Sequence, residues 1–412
     1  MPEASRLDID LTDYIRPGDR VFISEAAGSP VALVDALIEQ RHALGGVTVF
    51  LGYDIHNRFT AEHADALRFE SYGALGGTGA LSKAGCLDVF PVSLVQLSNA
   101  ILAGQLRCDV ALLSGAPCEG GYGFGLSCML MAAAVERARH VIIECNAAMP
   151  AGGGAFVPLD RVSRVVQSDY PILEVPSRPT EVAARIAEHV AAFIGDGATL
   201  QLGIGAIADA VPSRLHDRRD LGLHTGMIGD SLVELAQAGV LTNARKSRRP
   251  GIGVASMAVG TRKTYDFVHQ NPDLEIHPVA VTHGEARFQK NLVSINGAME
   301  VGLTGEVNAE TAGRHYLGAV GGQPDFVRAA QIAQGGRSII ALASTRKDGG
   351  SRIVAGPLAN VTTARGDVDT IITEYGAAEL RGQPLAERVR RLIGIAHPDH
   401  REALARATGT EF

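Results

Sequence analysis

A short apolar run that breaks at glycine and passes into a helix recurs along this chain. That recurrence restricts the fold more than any other feature. Pro17-Gly18-Asp19 turns into a strand at 20–24, a Gly28-Ser29-Pro30 turn follows, and a helix is predicted over 31–40. VTVFLGY (47–53), DVALLSGAP (109–117) and HVIIECN (140–146) are further strands, with the helical pattern CMLMAAAVERAR (128–139) between the last two. Continuous apolar strands are buried on both faces, and alternating them with helices gives a covered parallel sheet.

The pattern then restarts. AGGGA (151–155) opens a less regular connection to Arg178-Pro179-Thr180, where Thr180 can cap a helix running to residue 193. Gly195-Asp196, a strand, a glycine turn and a helix over 195–215 echo the same elements at 18–37. HVIIECN and DTIITEYG (369–376) each carry a glutamate just after the apolar core, Glu144 and Glu374. The expected class is α/β: two open, mostly parallel-sheet α/β domains, pseudo-duplicated, at 1–185 and 186–412. Ligands of such folds favour the cleft between domains and the carboxyl ends of parallel strands.

Composition narrows the partners. Glycine, 48 of 412 residues, exceeds the usual ~7% and signals tight turns and close ligand approach, because strong apolar runs separate the glycines. The net charge is −7 and no long basic block occurs, since Arg245, Lys246, Arg248 and Arg249 form only a short loop cluster. Nucleic acid is therefore not an expected partner. The five cysteines lack CxxC spacing, so they read as reduced thiols with no zinc site, and no metal is expected. No apolar run reaches the ~18 residues of a membrane span and no signal core opens the chain. The expected compartment is the cytoplasm, with no membrane contact.

The stretch 198–230, ATLQLGIGAIADAVPSRLHDRRDLGLHTGMIGD, carries the densest chemistry. A strand at 198–202 ends at Gly203-Ile204-Gly205, where a helix start offers free N–H groups and a positive dipole end to phosphate or an oxyanion. GIGAIADA (203–210) fits G-x-G-x-x-A, a nicotinamide-type fingerprint, and fits an ordinary glycine-rich turn as well. His224 and Gly226 are two apart on a predicted strand over 221–227, so both are expected to face one side. Gly318, Gly321 and Gly322 in GAVGGQPDF precede a second helix and can cradle an oxyanion or pyrophosphate. Asn296 in an apolar strand, Glu374 at a strand end and Cys118 in a loop complete the candidates. For each of these three the alternative is a hydrogen-bonded or inert structural group.

Together, LQLGIGAIADAV, LGLHTGMI, GTRKTYDF, VSINGAMEVGLTGEVNAE, GAVGGQPDFVRAA, VTTARGDVDTIITEYGAAELRG and IAHPDHREAL resemble the acetyl-CoA hydrolase/transferase family, which includes the 4-hydroxybutyrate and acetate CoA-transferases. The resemblance spans nearly the whole chain. It implies two domains of CoA-transferase type, a homodimer, acyl-CoA in the interdomain cleft and no tightly bound cofactor, coenzyme A thioester being substrate. It also implies a glutamate that captures the acyl group and then carries CoA as a glutamyl thioester. The family writes that stretch roughly His-Ser-Glu-Met; here it is His224-Thr225-Gly226-Met227. Ser29, Cys118 and Ala208 also depart, standing where relatives tend to have Glu, Asp and Pro. Asn296, the 318–322 glycines and Glu374 agree.

A kept thioester frame without its carboxylate points to direct acyl transfer from a CoA thioester to a small-molecule acceptor in the space Gly226 leaves. Gly203, Gly205, Gly318, Gly321 and Gly322 are expected to hold the carbonyl, and His224 or Glu374 to act as base. The alternatives are a CoA-transferase with a substitute carboxylate (Glu300 or Glu144), a thioesterase, and a non-catalytic acyl-CoA-binding paralogue.

Overall fold

The computed structural model describes residues 7–408. Its first half is built on a sheet of seven parallel strands: β1 (Arg20–Ile23), β2 (Thr48–Leu51), β3 (Arg68–Ser71), β4 (Leu87–Val89), β5 (Val110–Ser114), β6 (His140–Asn146) and β7 (Arg164–Ser168). They lie in the order 7-6-5-1-2-3-4. The second half has β8 (Thr199–Leu202), β9 (Gly222–Leu223), β10 (Leu292–Gly297), β11 (Arg337–Ala341), β12 (Thr370–Thr373) and β13 (Gly376–Glu379), ordered 9-8-10-11-12-13. Only β13 runs antiparallel to its neighbour in this second sheet.

The two-residue period of a strand explains why these runs are apolar throughout. In the first sheet Phe22, Ala111, Leu113, Val141 and Ile143 enter one core, while Val21, Ile23, Val110, Leu112 and Ile142 enter another beneath the helix Val31–Gln40. The second sheet divides likewise: Leu200, Ile295 and Ile339 face one way, and Ile340 and Ile371 pack on the helix Leu385–Ile395. The first-named face of each sheet joins one continuous apolar cluster. The halves therefore share a core. Among the described residues no helix is long and apolar enough to cross a membrane.

A local signal sets the start of one long helix. Thr180 is the N-cap of Glu181–Ala191, its Oγ1 accepting the Ala183 N–H at 3.1 Å. We expect Thr180→Ala to lower unfolding stability by about 1 kcal/mol in urea titration, the usual worth of such a cap.

Two elements differ from expectation. The helix after Gly205 is only Ala206–Ala210, because Pro212 cannot donate to the ladder and a 3₁₀ turn, Pro212–Arg214, follows. The single strand expected over 221–227 is two. Gly222–Leu223 pairs with β8, and Met227–Ile228 pairs instead with Met257–Ala258. Thr225 makes the crossing, its Oγ1 accepting the Leu202 N–H (3.2 Å) and donating to the Leu202 carbonyl (3.1 Å). That staple holds Gly226 over the carboxyl end of β8.

Candidate active site

Ligands of open parallel sheets lie where adjacent strands send their chains to opposite sides. β8 and β10 are such a pair, since β8 leads to β9 on one flank while β10 lies on the other. Beyond Gly203, Asn296 and Gly297 opens a cavity of about 450 Å³, within the roughly 300–1,000 Å³ of small-molecule sites. Tyr72, Leu94 and Met129 from the first half face Gly226, His283 and Phe326 from the second. A wider groove of about 1430 Å³ beside Val31–Gln40 is lined by Asp8, Asp10, Asp35 and Glu39. Its acidity opposes an anionic ligand, and none of the glycine turns reaches it.

Gly226 is not glycine for the backbone's sake. A Cβ there would meet His283 Cε1 at 3.4 Å, Nε2 at 3.5 Å and Phe326 Cε2 at 4.0 Å, which is ordinary contact, and its φ lies outside the left-handed region. What a side chain would fill is cavity. Gly322 is the opposite case: a Cβ there would overlap the ring of His283.

The loop 318–322 lines the cavity. Gly321 takes φ +55°, which favours glycine, and a Cβ on Gly318 would collide with the Ala309 carbonyl. Gly322 caps the helix Gln323–Ile332, whose first internal bond is Phe326 N–H to the Gly322 carbonyl at 3.1 Å. The N–H groups of Gly322, Gln323 and Asp325 thus have no acceptor within the helix, and its positive end adjoins the cavity.

His283 is the wall residue that sequence reasoning missed. It closes the short helix Val279–Thr282, is 4% exposed and lies against Phe326 with ring centroids 4.3 Å apart and planes tilted by 43°. Its Nδ1 lies 2.8 Å from Thr282 Oγ1. Burial pushes its pKa down to about 3, so the ring is neutral. Arg352 also reaches the cavity and is the one charged residue in its wall among the described residues. Its Nε donates to the Thr345 carbonyl (3.2 Å) and Nη1 to that of Ala298 (3.2 Å).

Several candidates fall elsewhere. His224 and Gly226 do not share a side, because the strand breaks between them. His224 is 1% exposed, and its Nε2 donates to the Val281 carbonyl while Nδ1 accepts from Gln289 Nε2, both at 3.2 Å. The Gln289 amide is oriented by the Ser247 and Arg248 N–H groups on its Oε1. No lone pair remains on His224 for a base, and burial, helped by the charge of Lys246, takes its pKa to about 3. Glu374 accepts from Ser344 N–H (2.9 Å) and Oγ (2.7 Å), outside the cavity wall and close enough for its charge to act on Arg352. Cys118 is exposed at the end of the strand Ala116–Cys118, which pairs with Gly121–Gly123 in a small hairpin, and it does not line the cavity.

Gly205 takes φ +117° and lines a neighbouring cavity of about 230 Å³ that shares Asn296 and Arg352 with the first. Asn296 does line the main cavity, yet both Nδ2 hydrogens are taken, by Gln201 Oε1 (3.0 Å) and Ser294 Oγ (2.9 Å). Of the two substitute carboxylates, Glu144 is held by Tyr170, Ser168 and the Leu33 N–H within the first half. Glu300 pairs with Arg346 at 3.0 Å. Neither lines the cavity.

Comparison with known proteins agrees with this fold. Residues 8–175 match the model of the acetyl-CoA hydrolase/transferase N-terminal domain, and residues 260–408 that of the C-terminal domain. A 4-hydroxybutyrate coenzyme A transferase of Clostridium kluyveri is 39% identical over 93% of this chain and 92% of its own. The succinyl-CoA:cyclohexane-1-carboxylate CoA transferase of Geobacter metallireducens is 33% identical over 97% of this chain and 93% of its own. RipA from Yersinia pestis superposes with TM-score 0.90 at 30% identity, covering 97% of this chain and 96% of that one. With both domain models matched and full-length relatives above 30% identity, the chain belongs to the acetyl-CoA hydrolase/transferase family.

Proposed function

We propose that this CoA-acting enzyme transfers directly between an acyl-CoA and a free carboxylate held together in the cavity, with no covalent bond to the protein. One observation carries the reading. Among the described residues none that lines the cavity is Asp, Glu, Cys, Ser, Thr or Lys, and glycine stands at 226 although a side chain would fit. The relatives are named for CoA transfer, and Arg352 gives the wall a cationic group suited to an acid.

The acceptor carboxylate occupies the space beside Gly226 and attacks the thioester carbonyl. As the C–O bond forms, the carbonyl electron pair moves to oxygen, facing the N–H groups at the start of Gln323–Ile332. Collapse breaks the C–S bond and expels CoA thiolate, leaving a mixed anhydride of the two acids. The thiolate attacks the acceptor-derived carbonyl, the anhydride C–O bond breaks, and the donor acid leaves as carboxylate. No proton moves in the sequence, which suits a cavity whose imidazole is neutral and whose former base candidates, His224 and Glu374, are committed elsewhere.

Initial rates with acyl-CoA and carboxylate both varied should give intersecting lines, and the intact protein should keep its mass when incubated with acyl-CoA alone. Parallel lines with a borohydride-sensitive adduct would overturn the reading. Arg352→Gln should raise KM for the carboxylate by about tenfold or more, the worth of a charge-assisted pair. KM for acyl-CoA should change little.

A further inference from the structure

Position 283 stands against the reacting centre, and its proton can be located by accounting for its neighbours. Ser256 is fully buried, and among the described residues its hydroxyl meets one side chain, Thr282 Oγ1 at 2.6 Å. A buried hydroxyl donates where it can, so Ser256 O–H is directed at Thr282 Oγ1. Thr282 then has two acceptors, the Pro278 carbonyl at 3.4 Å and His283 Nδ1 at 2.8 Å. The first is too long for a good O–H···O bond. The chain therefore runs Ser256 O–H to Thr282 O–H to His283 Nδ1, and the ring's proton sits on Nε2. That nitrogen lies between Gly226 and Gly322, both cavity walls, and no protein hydrogen bond is made to it among the described residues.

We infer that His283 is a catalytic hydrogen-bond donor, its Nε2–H held by the Ser256–Thr282 chain against the thioester carbonyl oxygen and the oxyanion that forms from it. The inference rests on the reading that acyl-CoA reacts in this cavity. A neutral imidazole suits the task, since it polarises a carbonyl without acting as an acid toward the intermediate. Burial, which keeps the ring uncharged, is thus part of the device. The oxygen also needs donors it does not find at Asn296, whose amide hydrogens are already bound. Thr282 and Ser256 are positioning residues, since they act only through the ring.

Two measurements separate this inference from the reading beneath it. Histidine-selective ¹⁵N spectra of the unliganded protein should show His283 protonated on Nε2 and bare on Nδ1, and Thr282→Val should remove that bias. Difference infrared spectra with carbonyl-¹³C acetyl-CoA should show a stretch lowered on binding. His283→Ala should return it toward the free value and cut kcat by about 10²–10³-fold, and His283→Asn, which keeps an N–H donor, should restore part of both. A proton on Nδ1, or a carbonyl stretch and kcat indifferent to His283→Ala in a protein that still binds acetyl-CoA, overturns the inference. An acyl-enzyme adduct in the wild type would instead defeat direct transfer while leaving the polarised carbonyl in place. Failure of acetyl-CoA to bind at all would overturn both.

Discussion

Gly226→Glu should turn a protein that forms no adduct into one that does. The new Cβ sits at 3.4–4.0 Å from its neighbours and the backbone is in a region open to any residue, so the variant should fold. Its carboxylate would enter the space assigned to the acceptor. Incubation with acyl-CoA should then add the mass of a CoA thioester to the protein, released by hydroxylamine and cleaved by borohydride. Kinetics should change from intersecting to parallel lines. Direct turnover should fall by on the order of 10²-fold, because the free acid no longer reaches its attacking position. A variant with wild-type turnover and no adduct would place the reaction elsewhere.

Acid should unfold this protein through its buried histidines. Folded His224 accepts a proton only near pH 3 (pKa about 3), whereas in the unfolded chain it does so near the ordinary ~6.5. Between those values the unfolded state holds one proton more, so stability is full above about pH 6.5 and falls as pH falls, by up to ~1.4 kcal/mol per unit. His283, also taken to about 3 by burial, adds a second contribution of the same sign. Glu25 and Glu144, whose carboxyls burial raises, act the other way over part of the range. The clean comparison is therefore wild type against His224→Gln, by urea unfolding at stepped pH. The wild type should lose ground by about 1.4 kcal/mol per unit below pH 6.5. Curves that stay parallel down to pH 4 would refute the account.

The architecture was largely written in local pattern. HVIIECN forms β6 at its expected bounds, the helix at Val31–Gln40 begins and ends as read, and the glycines of 203 and 318–322 converge on one cavity. Side-chain duty was less legible, for a physical reason. Sequence displays which groups can donate or accept, and the fold decides which of those valences are already spent. His224 looks like a base until Gln289 and Val281 are seen to use up both ring nitrogens, and Glu374 until Ser344 is seen to hold it outside the cavity wall. His283 lies 57 positions from Gly226, in a segment whose only hint is a Thr-His pair ending the apolar run VAV. Arg352 reads as one more charge in a surface loop until the Ala298 and Thr345 carbonyls turn it inward.

The overlap between a side chain at 322 and the ring at 283 makes the two positions epistatic. A lineage carrying alanine at 322 could not acquire this histidine without first reverting to glycine, and one that holds the histidine is locked against any gain at 322. Across homologues, a ring at 283 should never coincide with a methyl at 322. Grafting the imidazole onto another scaffold requires moving both residues at once.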